Sequence, residues 1–566
     1  MKKILTTFTF AMLGVAAMGQ ETYDNAQLAS KDLNGTARYV GMGGAMEALG
    51  ADISTMASNP AGIGLFRRSM ASASFGFNTQ SDANDIGKKK TKASFDQAGF
   101  VYTMRSGRKS YVNFGVSYTK NRNLNQILTA TGRLNSASQN KLSSMKNYND
   151  LYRLEKNNGE LTSQWGKNNY CDLPYNQVDY LYSNALLNDN NSRLVDMNVN
   201  NYNGGNYIAD ANGALDASNN PRAAYYNATG YDFFRGTSGY IGEYNFNLSG
   251  NSKDRFYWGV SFGLYDVNYS HASEYTENLV NNSQKAIGSV TIADERTISG
   301  TGFDVKAGVI FRPIEESPFR VGLYIHTPTW YDLKTENRTT LTSNLTKGYG
   351  NGNWSTQGHY DYKFYTPWRF GGSLGYTVGK SLALGLTYEY ADYSYCDIRV
   401  NEGGTYDYWG NYYEDTSRDQ AMKGSIKNVL KGVSTLKVGA EYKPIQNLAV
   451  RLGYNYVSPM YNKAGYKDGT LNSYSTYYSS STDYTNWNAT NRITAGVGYT
   501  YKKFAVDLAY QYSCTTGEFF PFMSYSDYEA TSNNQRKYDS NYDNICDGQK
   551  VSNKHHQLIL TLGYKF

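Results

Sequence analysis

Apolar and polar residues alternate along many separate stretches of this chain. In the segment Leu448–Val457 the even-numbered positions hold Leu, Val, Leu, Tyr and Tyr, whereas the odd-numbered positions include Ala449, Arg451, Gly453 and Asn455. The same two-residue period recurs in residues 256–264, 303–311, 382–390 and 504–512. Because successive side chains of a β-strand point to opposite faces, these stretches predict strands with one apolar face and one small or polar face.

Fourteen stretches of this kind predict the strands. They cover residues 69–79, 93–104, 110–120, 238–249, 255–269, 301–313, 318–331, 360–378, 381–396, 430–443, 447–459, 488–501, 503–514 and 553–566. In the second stretch, 93–104, Phe95 and Phe100 stand at an odd and an even position and would point to opposite faces. This predicts a bulge or kink in that strand. The stretches run to about ten residues or more, the length of a tilted membrane strand. Soluble strands are shorter, about 5–6 residues.

Lipid cannot hydrogen-bond to the backbone, so strands cross a bilayer only in a closed barrel. We therefore predict an all-β fold, a transmembrane antiparallel β-barrel of about 14 strands, rather than a soluble β-sandwich. Short turns fall near residues 105–109, 250–254, 313–318, 379–380, 444–446 and 502–503, and long polar stretches alternate with them. Bacterial barrels have short periplasmic turns and longer outer loops. This predicts a multi-pass protein of the bacterial outer membrane, in contact with its lipid.

The longest predicted loop spans about residues 121–237 and is rich in Asn and Tyr. A loop of this length is expected to be functional or disordered. Short helices are expected within it, for example near residues 143–154. It lies on the outer side of the predicted barrel, which residues 69–566 form.

The N-terminus has the form of an export signal. Lys2 and Lys3 precede an apolar run over residues 4–17, and small residues stand at positions 17 and 19. This pattern predicts a cleaved signal peptide over residues 1–19. The 566 residues carry a formal charge of +6, which becomes +4 without Lys2 and Lys3. No basic stripe with interleaved aromatic residues indicates nucleic-acid binding, and export argues against it.

The four cysteines lie in predicted outer loops or at outer strand ends. They are Cys171, Cys396, Cys514 and Cys546. Disulfides are allowed in the oxidising space that an exported chain meets, and four cysteines permit three pairings. Cys514 and Cys546 flank one loop, so that pair is the first expectation and Cys171–Cys396 is the remainder. No Cys-x-x-Cys spacing is present, and we predict no metal site and no cofactor.

The chain ends in the sequence HQLILTLGYKF, an alternating strand whose apolar face ends in Tyr564 and Phe566. A terminal aromatic residue on an amphipathic last strand resembles the signal that the bacterial barrel-assembly machinery reads. That machinery is therefore an expected partner. The alternative is an ordinary final strand with no targeting role.

Residues 20–68 differ in character from the strands that follow. The stretch ARYVGMGGAMEALGADISTMASNPAGIGLF is small, apolar and rich in glycine, with helical spacing of Met42, Met46, Leu49 and Ile53. Pro60 is expected to end that helix, because the residue before a proline avoids the helical conformation. The segment is too apolar for an exposed tail and too short for a domain. It fits as a helical hatch in the lumen, which otherwise remains an open channel in a large barrel.

This stretch resembles the N-terminal hatch of the FadL/TodX family of outer-membrane transporters for hydrophobic compounds. The resemblance depends on residues 41–45, on Ala51 and Asp52, and on residues 59–62. Residues 366–394, TPWRFGGSLGYTVGKSLALGLTYEYADYS, also resemble a strand pair of that family. The predicted strand number agrees with the barrel of the family. The loop at 121–237 departs from the best-known members.

The resemblance implies passive uptake of hydrophobic compounds such as long-chain fatty acids by a monomer. Ligand capture among the outer loops, an apolar luminal pocket, a shift of the hatch and sideways release through a gap in the wall are implied steps. Asn59, Pro60, Ala61 and Gly62 would form the gating turn of the hatch, with Phe66 near its base. Without the resemblance, Asn59-Pro60 is equally well a plain turn between helix and strand.

The predicted luminal faces carry charges of both signs, which we expect to pair within the lumen. Among them, Arg320, Arg369 and Arg451 are candidates for holding a ligand carboxylate. Haem or porphyrin uptake is an alternative function, with His271 or the pair His555-His556 as iron ligands. A general porin or an adhesin is another. The Gly-x-Ser-x-Gly matches at 259–263 and 371–375 lie inside predicted strands rather than at a strand-to-helix turn, so an enzyme is not predicted.

Overall fold

The computed structural model describes residues 22–84, 89–135, 137–143, 154–157, 160–163, 176–182, 226–281, 283–346, 351–410, 412–467, 471, 473, 480–523, 528–530, 536–538, 544 and 546–566. The predicted signal peptide, Cys171 and most of the predicted loop 121–237 lie outside these residues. The expected helices near 143–154 also fall mostly outside them.

The described part of the chain contains 23 strands, of which 19 form one sheet. The sheet strands are β1 Met70–Gln80, β2 Thr91–Arg105, β3 Tyr111–Asn123, β4 Gln126–Arg133, β7 Asn227–Ser252, β8 Phe256–Val280, β9 Ala286–Phe311, β10 Arg320–His326, β11 Trp330–Leu345, β12 Gly352–Tyr365, β13 Arg369–Val378, β14 Leu382–Asp392, β15 Asp397–Tyr406, β16 Tyr412–Arg418, β17 Gly432–Ile445, β18 Leu448–Val457, β19 Tyr484–Tyr501, β20 Phe504–Phe520 and β23 Gln549–Lys565. Two separate hairpins are β5 Leu154–Asn157 with β6 Glu160–Ser163, and β21 Tyr528–Ala530 with β22 Arg536–Tyr538.

The sheet closes on itself as an antiparallel barrel of fourteen strand positions. Some positions are shared by two strands that follow each other along the same part of the wall, written here as a joined pair. Around the barrel the order is β1, β2, β3/β4, β7, β8, β9, β10/β11, β13/β12, β14/β15, β17, β18, β19, β20 and β23. The last strand, β23, pairs with β1. Every one of these pairings is antiparallel, and each position pairs with the next along the chain except where β23 closes the barrel against β1. The predicted barrel is confirmed, and so is the predicted irregularity in the second strand, where the β1–β2 register shifts between Ser74 and Phe75.

An apolar belt surrounds the outside of the barrel. On β8 the outward side chains Phe256, Val260, Phe262 and Leu264 are exposed, and the next outward residues are polar, beginning with Asp266. From Phe256 to Leu264 the strand rises about 26 Å at roughly 3.3 Å per residue. The apolar band of membrane barrels is about 25 Å tall. At a strand tilt of about 40° this length corresponds to a height of about 20 Å, which approaches that of the apolar band of a membrane barrel.

Five strands extend beyond the belt by about ten or more residues on the side of the long loops: β7, β8, β9, β11 and β12. Their inward side chains are buried and include apolar residues, such as Tyr265 and Val267, as well as polar ones, such as His271 and Glu277. Their outward side chains are polar, which removes the outer apolar signal that the sequence prediction relied on. The predicted strands 238–249, 255–269 and 301–313 are therefore too short. The predicted loop 121–237 likewise begins and ends in strand, in β3, β4 and β7.

Helices are short. In the described part of the chain they include α1 Thr22–Ala29, α2 Ala37–Gly41, α3 Gln177–Tyr182 and α4 Gln420–Val429, with 3₁₀-helices at Ile53–Ala57, Pro60–Leu65 and Tyr393–Tyr395. In the described residues no helix is long and apolar enough to cross a membrane.

The helix predicted through Met42 and Ile53 is wrong. The chain leaves the helical conformation after α2, since Gly43 and Gly44 take φ values of 63° and 80°. Glycine accepts this left-handed conformation without steric cost. Met42, Met46 and Leu49 pack together nonetheless, in a cluster with Leu33 and Tyr39.

Residues 22–68, here called the hatch, run through the lumen from its outer end to the short-turn end. At the outer end Tyr23 stacks on Tyr461 with ring centroids 5.4 Å apart. At the other end Gly64 lies against Gly250, beside the short turn after β7. In the described part of the wall, ten inward-facing glycines leave room for the hatch: Gly99, Gly115, Gly259, Gly308, Gly322, Gly375, Gly385, Gly439, Gly453 and Gly496. The hatch therefore touches the wall through its own backbone.

Candidate functional site

The predicted gating turn is a fully buried cap of a 3₁₀-helix. The Asn59 side chain accepts a hydrogen bond from the Ala61 amide (3.1 Å) and donates one to the Glu47 carbonyl (3.1 Å). Pro60 is the first residue of this helix, so it begins a helix rather than ending one. Gly62 packs closely against Thr55. A Cβ atom at position 62 would stand 2.6 Å from the Thr55 hydroxyl oxygen, so only glycine fits at this distance.

Phe66 anchors the lower end of the hatch in an apolar cluster with Ile53, Met56, Ile63 and Val101. The structure thus gives Asn59, Pro60, Ala61, Gly62 and Phe66 defined places in the hatch, and their role in gating stays a prediction.

Ion pairs join the hatch to the wall. Lys437 Nζ lies 2.7 Å from Glu47 Oε1, and Glu47 is fully buried. Arg38 Nε lies 3.0 Å from Glu441 Oε2. Burial acts to lower the pKa of Arg38, but the Glu441 carboxylate outweighs this and raises it above its usual range. The hatch is therefore held by charges as well as by packing.

The three predicted carboxylate-binding arginines lie in different places. Arg451 binds two wall carboxylates, Glu441 and Asp507, each at 2.6 Å. Arg320 donates to the carbonyl of Leu49 at 3.1 Å and so holds the hatch. Arg369 lines the luminal cavity described below, where it pairs with Glu389 at 3.0 Å. The expected pairing of luminal charges is therefore present at Arg369 and Arg451, whereas Arg320 is held by a backbone carbonyl.

Above the lower hatch lies a luminal cavity of about 280 Å³. Part of its lining is apolar: Leu124, Val433 and Tyr461 belong to one hydrophobic cluster, and Val457, Met460 and Trp487 pack against it. The polar part of the lining includes Asp32, Asn34, Asp96, Lys120, Arg122 and Arg492. The lining holds six Lys and Arg residues against four Asp and Glu residues, an excess of two positive charges. It is suited to a molecule with one apolar end and one polar or acidic end.

The wall beside this cavity is interrupted between β2 and β3. Their pairing runs from Arg105↔Tyr111 to Gln97↔Thr119. Beyond that point, in the described residues, 91–96 pair only with β1, while residues 120–133 pair only with β7. We call this interruption the window. It lies at the outer edge of the apolar belt.

Side chains take the place of backbone bonds across the window. Lys120 Nζ donates to Ser94 Oγ at 2.6 Å, and Lys92 Nζ donates to Asn125 Oδ1 at 2.6 Å. Below the window, on the outer surface, Phe75, Phe95, Tyr118 and Tyr244 form a continuous aromatic row with centroid distances of 5.1–5.5 Å. The window therefore joins a polar cavity edge inside to an aromatic surface outside.

The hatch covers the window from within. The Asp32 amide donates to the Asn121 carbonyl at 2.9 Å, and the Asn123 amide donates to Asp32 Oδ2 at 2.9 Å. The Asn34 side chain donates to the Lys120 carbonyl at 3.0 Å. Residues 32–34 thus bond to backbone groups of β3 at the level where its pairing with β2 has ended.

Two titratable hatch residues are adjacent here. Burial lowers the pKa of Lys31 to about 8, with the Glu243 carboxylate opposing the shift. Burial acts to raise the pKa of Asp32, but the Arg122 and Arg492 guanidinium groups lower it below its usual range. Asp32 is therefore a carboxylate at neutral pH.

Sequence reasoning did not identify Asp32, Arg122 and Arg492 as a group. Arg122 lies two residues beyond the predicted third strand, and Asp32 lies in the hatch among polar residues. The signal that was present is the polar sequence KDLN at 31–34, which precedes the apolar stretch of the hatch.

The predicted Cys514–Cys546 disulfide is not formed in the structure. Cys396, Cys514 and Cys546 are free thiols. Cys514 pairs with Lys554, whereas Cys546 precedes Gln549, the partner of Phe519. The partner of Cys514, Lys554, and the strand start at Gln549 are five residues apart on β23, about 16 Å at 3.3 Å per residue. A disulfide needs Cα atoms within about 7 Å. Cys171, the predicted partner of Cys396, lies outside the described residues.

The histidines proposed for haem have separate surroundings. His271 is buried against Tyr269 and Ser273 inside the strand extension. His555 lines the cavity and bonds to Asn78, whereas His556 faces outward against Tyr510. The three do not converge on one position.

The last strand carries its aromatic residues on the outer surface at the short-turn end. Phe566 contacts Phe100 and Tyr564 with centroid distances of 5.9 and 5.0 Å. Its backbone amide donates to the Ser69 carbonyl at 3.0 Å, which closes the barrel beside the first strand. Tyr564 and Phe566 are therefore accessible from the membrane side, and their role as an assembly signal stays a prediction.

Fold and site together define a fourteen-strand β-barrel whose lumen is filled by its own N-terminal segment. No protein-family profile matches the chain, and no curated protein matches its sequence. Among solved structures it is similar to a FadL homologue of Pseudomonas aeruginosa (10% identity, TM-score 0.44, covering 95% of this chain and 99% of that one). It is also similar to the toluene transporters TbuX of Ralstonia pickettii (12%, 0.44, 94% and 99%) and TodX of P. putida (12%, 0.45, 94% and 99%). The assignment of the barrel fold is based on the strand pairing within this chain.

Proposed function

We propose that this protein is an outer-membrane channel for passive uptake of hydrophobic compounds that carry a polar group, such as long-chain fatty acids. The observation that supports this most directly is the luminal cavity, whose lining has an apolar part and a polar part and which meets the window in the barrel wall. The solute enters the cavity from the outer side, passes the hatch segment at 32–34 and leaves sideways through the window.

The route suits an apolar solute for a physical reason. Burial of apolar surface stabilises a solute by about 25 cal/mol per Å². An apolar cavity wall followed by the aromatic row outside the window therefore offers a path with little exposure to water. The solute moves down its own gradient, so the channel needs no energy source.

Two alternatives have less support. A general porin keeps an open water-filled lumen, whereas here the hatch packs against the wall strands along the lumen. Haem uptake through His271 or His555-His556 lacks a common ligand position, as described above. The hatch is the feature that favours gated uptake over both.

The experiment is reversible closure of the window. In a background with the four cysteines changed to serine, Lys92→Cys and Asn125→Cys place thiols on either side of it. A reducible bismaleimide linker about 10 Å long spans the two positions, whose side chains now meet across the window. Uptake of a labelled fatty acid by cells lacking their own carrier is expected to fall about tenfold on cross-linking and to return on reduction.

The matched control is Lys334→Cys with Asp361→Cys. Lys334 Nζ lies 4.0 Å from Asp361 Oδ1 on the polar outer face of the strand extension, where β11 and β12 are already paired. Cross-linking there is expected to leave uptake unchanged. Undiminished uptake with the window cross-linked would show that the solute leaves by another route.

A further inference from the structure

We propose that Asp32 occupies the place of a ligand's acid group, so that a ligand carboxylate opens the window by replacing Asp32 at Arg122 and Arg492. This inference rests on the proposed function and adds to it both a ligand chemistry and a means of release. It makes Asp32, Arg122 and Arg492 the residues that select acidic over neutral solutes.

The geometry is that of one anion held between two cations. Arg122 Nη1 lies 2.6 Å from Asp32 Oδ1, and Arg492 Nη2 lies 3.5 Å from the same oxygen. Arg122 is on β3 at the window, and Arg492 is on β19 across the lumen. A planar carboxylate matches the fork of a guanidinium group, which makes arginine the preferred partner of such a ligand.

The cations at this position exceed the anions. One carboxylate serves two guanidinium groups, and the buried Nε of Arg122 has no hydrogen-bond partner. Arg492 donates its other nitrogen only to a neutral amide oxygen, that of Asn455, at 2.9 Å. The site therefore has unused donor capacity and an uncompensated positive charge, both of which attract a second anion.

The same position suits the remainder of the ligand. Leu124, next to Asn123 on the chain, belongs to the apolar part of the cavity lining, together with Val457 and Trp487. An acid group at Arg122 and Arg492 thus leaves its hydrocarbon chain against this apolar part. The cavity holds both ends of an acidic amphiphile at once.

Replacement of Asp32 has a direct structural consequence. The Asp32 carboxylate also accepts from the Asn123 amide, and its own amide donates to Asn121. When a ligand anion takes the guanidinium groups, the attraction that keeps residue 32 on β3 is lost. Residues 32–34 then leave the inner face of the window, because a ligand shifts a two-state element by its differential affinity for the two states.

The test compares decanoate with 1-decanol, which have equal chain length and differ in charge. Binding to the purified full-length protein in detergent is measured by equilibrium dialysis, and hydrogen exchange is followed at the amides of residues 31–36. Decanoate is expected to bind at least about tenfold tighter than 1-decanol and to increase exchange in this segment, whereas 1-decanol leaves it unchanged.

Three variants sharpen the result. Asp32→Asn removes the competing charge, so decanoate is expected to bind about tenfold tighter and exchange at 31–36 to be high without ligand. Arg492→Gln and Arg122→Gln are each expected to remove the preference for decanoate. The control is Asp361→Asn, which changes a half-exposed carboxylate 4.0 Å from Lys334 on the polar outer face of the strand extension and is expected to alter neither quantity.

Weaker decanoate binding in Asp32→Asn, or equal binding of the two solutes to the unmodified protein, would overturn the inference. Cellular uptake separates this failure from failure of the proposed function. If 1-decanol still enters in a protein-dependent manner, the channel stands and only the exchange at Asp32 is wrong. If neither solute enters, the proposed function fails as well.

Discussion

At the level of single residues, the lumen is governed by buried charges that depend on one another. Glu47 on the hatch is fully buried and accepts hydrogen bonds from Lys437, from the Tyr39 hydroxyl (3.1 Å) and from the Thr387 hydroxyl (2.7 Å). A buried charge is tolerated when it is paired and hydrogen-bonded, and it is costly when it is left alone. Each ion pair between hatch and wall is thus a point at which one substitution loosens the hatch.

Lys437→Met leaves the Glu47 carboxylate without a counter-ion. The expected cost is about 3–5 kcal/mol of hatch attachment, seen as faster proteolysis of residues 22–68 and as current steps in planar bilayers. The double variant Glu47→Gln with Lys437→Met removes both charges, and we expect it to recover most of the protection. A double variant as loose as the single one would contradict the role given to this pair.

At the level of elements, hatch and strands fit because the strands place glycine where the hatch backbone arrives. Gly385 on β14 faces the Ala45 carbonyl, and Gly439 on β17 faces the Met42 carbonyl. In a strand, glycine costs conformational entropy and often marks a close approach of another backbone. The inward glycines therefore define the seat of the hatch.

Gly385→Ala is expected to displace the hatch, because a Cβ there would overlap the Ala45 carbonyl oxygen. Forcing an extra carbon into a packed site costs about 1–3 kcal/mol, which raises the open fraction in bilayer recordings about tenfold. The control is Gly372→Ala on β13, where the nearest atom is 3.8 Å from the added carbon. We expect the control to conduct like the unmodified protein, and equal currents from both variants would show that Gly385 does not seat the hatch.

At the level of the whole molecule, the barrel has three zones along its axis. The short-turn end is filled by the hatch, the middle holds the cavity and the window, and the outer end is a strand extension with a polar exterior and a buried interior of apolar and polar side chains. The apolar belt encloses the lower zones and ends near the window. This arrangement puts the sideways exit at the outer edge of the belt.

Deletion of Phe566 tests assembly separately from stability. Its side chain is 58% exposed and makes ring contacts worth about 0.5–1.5 kcal/mol each with Phe100 and Tyr564. Protein refolded in detergent is expected to keep nearly its original melting temperature. In cells, the amount inserted in the outer membrane is expected to fall several-fold. A normal cellular level would show that the last residue is not an assembly signal.

Much of the barrel was predictable from the sequence, because alternation is a property of one strand at a time. An apolar belt and a small or polar lumen impose opposite demands on neighbouring residues, so each strand that crosses the belt carries its own signal. The hatch was also visible, since its small and apolar residues suit neither a tail nor a domain. Strand ends beyond the belt were missed because their outer faces meet water and are polar. These segments therefore lack the apolar outer face that marks the strands within the belt.

The sequence by itself determined that the chain forms a barrel with an N-terminal segment for its lumen. Only the tertiary structure decided where the wall is interrupted and which polar groups meet there. The window results from the register between β2 and β3, which no single strand encodes. Asp32 and Arg492 meet although 460 residues separate them. Contacts of this kind depend on the closure of the whole barrel, since only the closed wall brings its first and last strands around the same hatch.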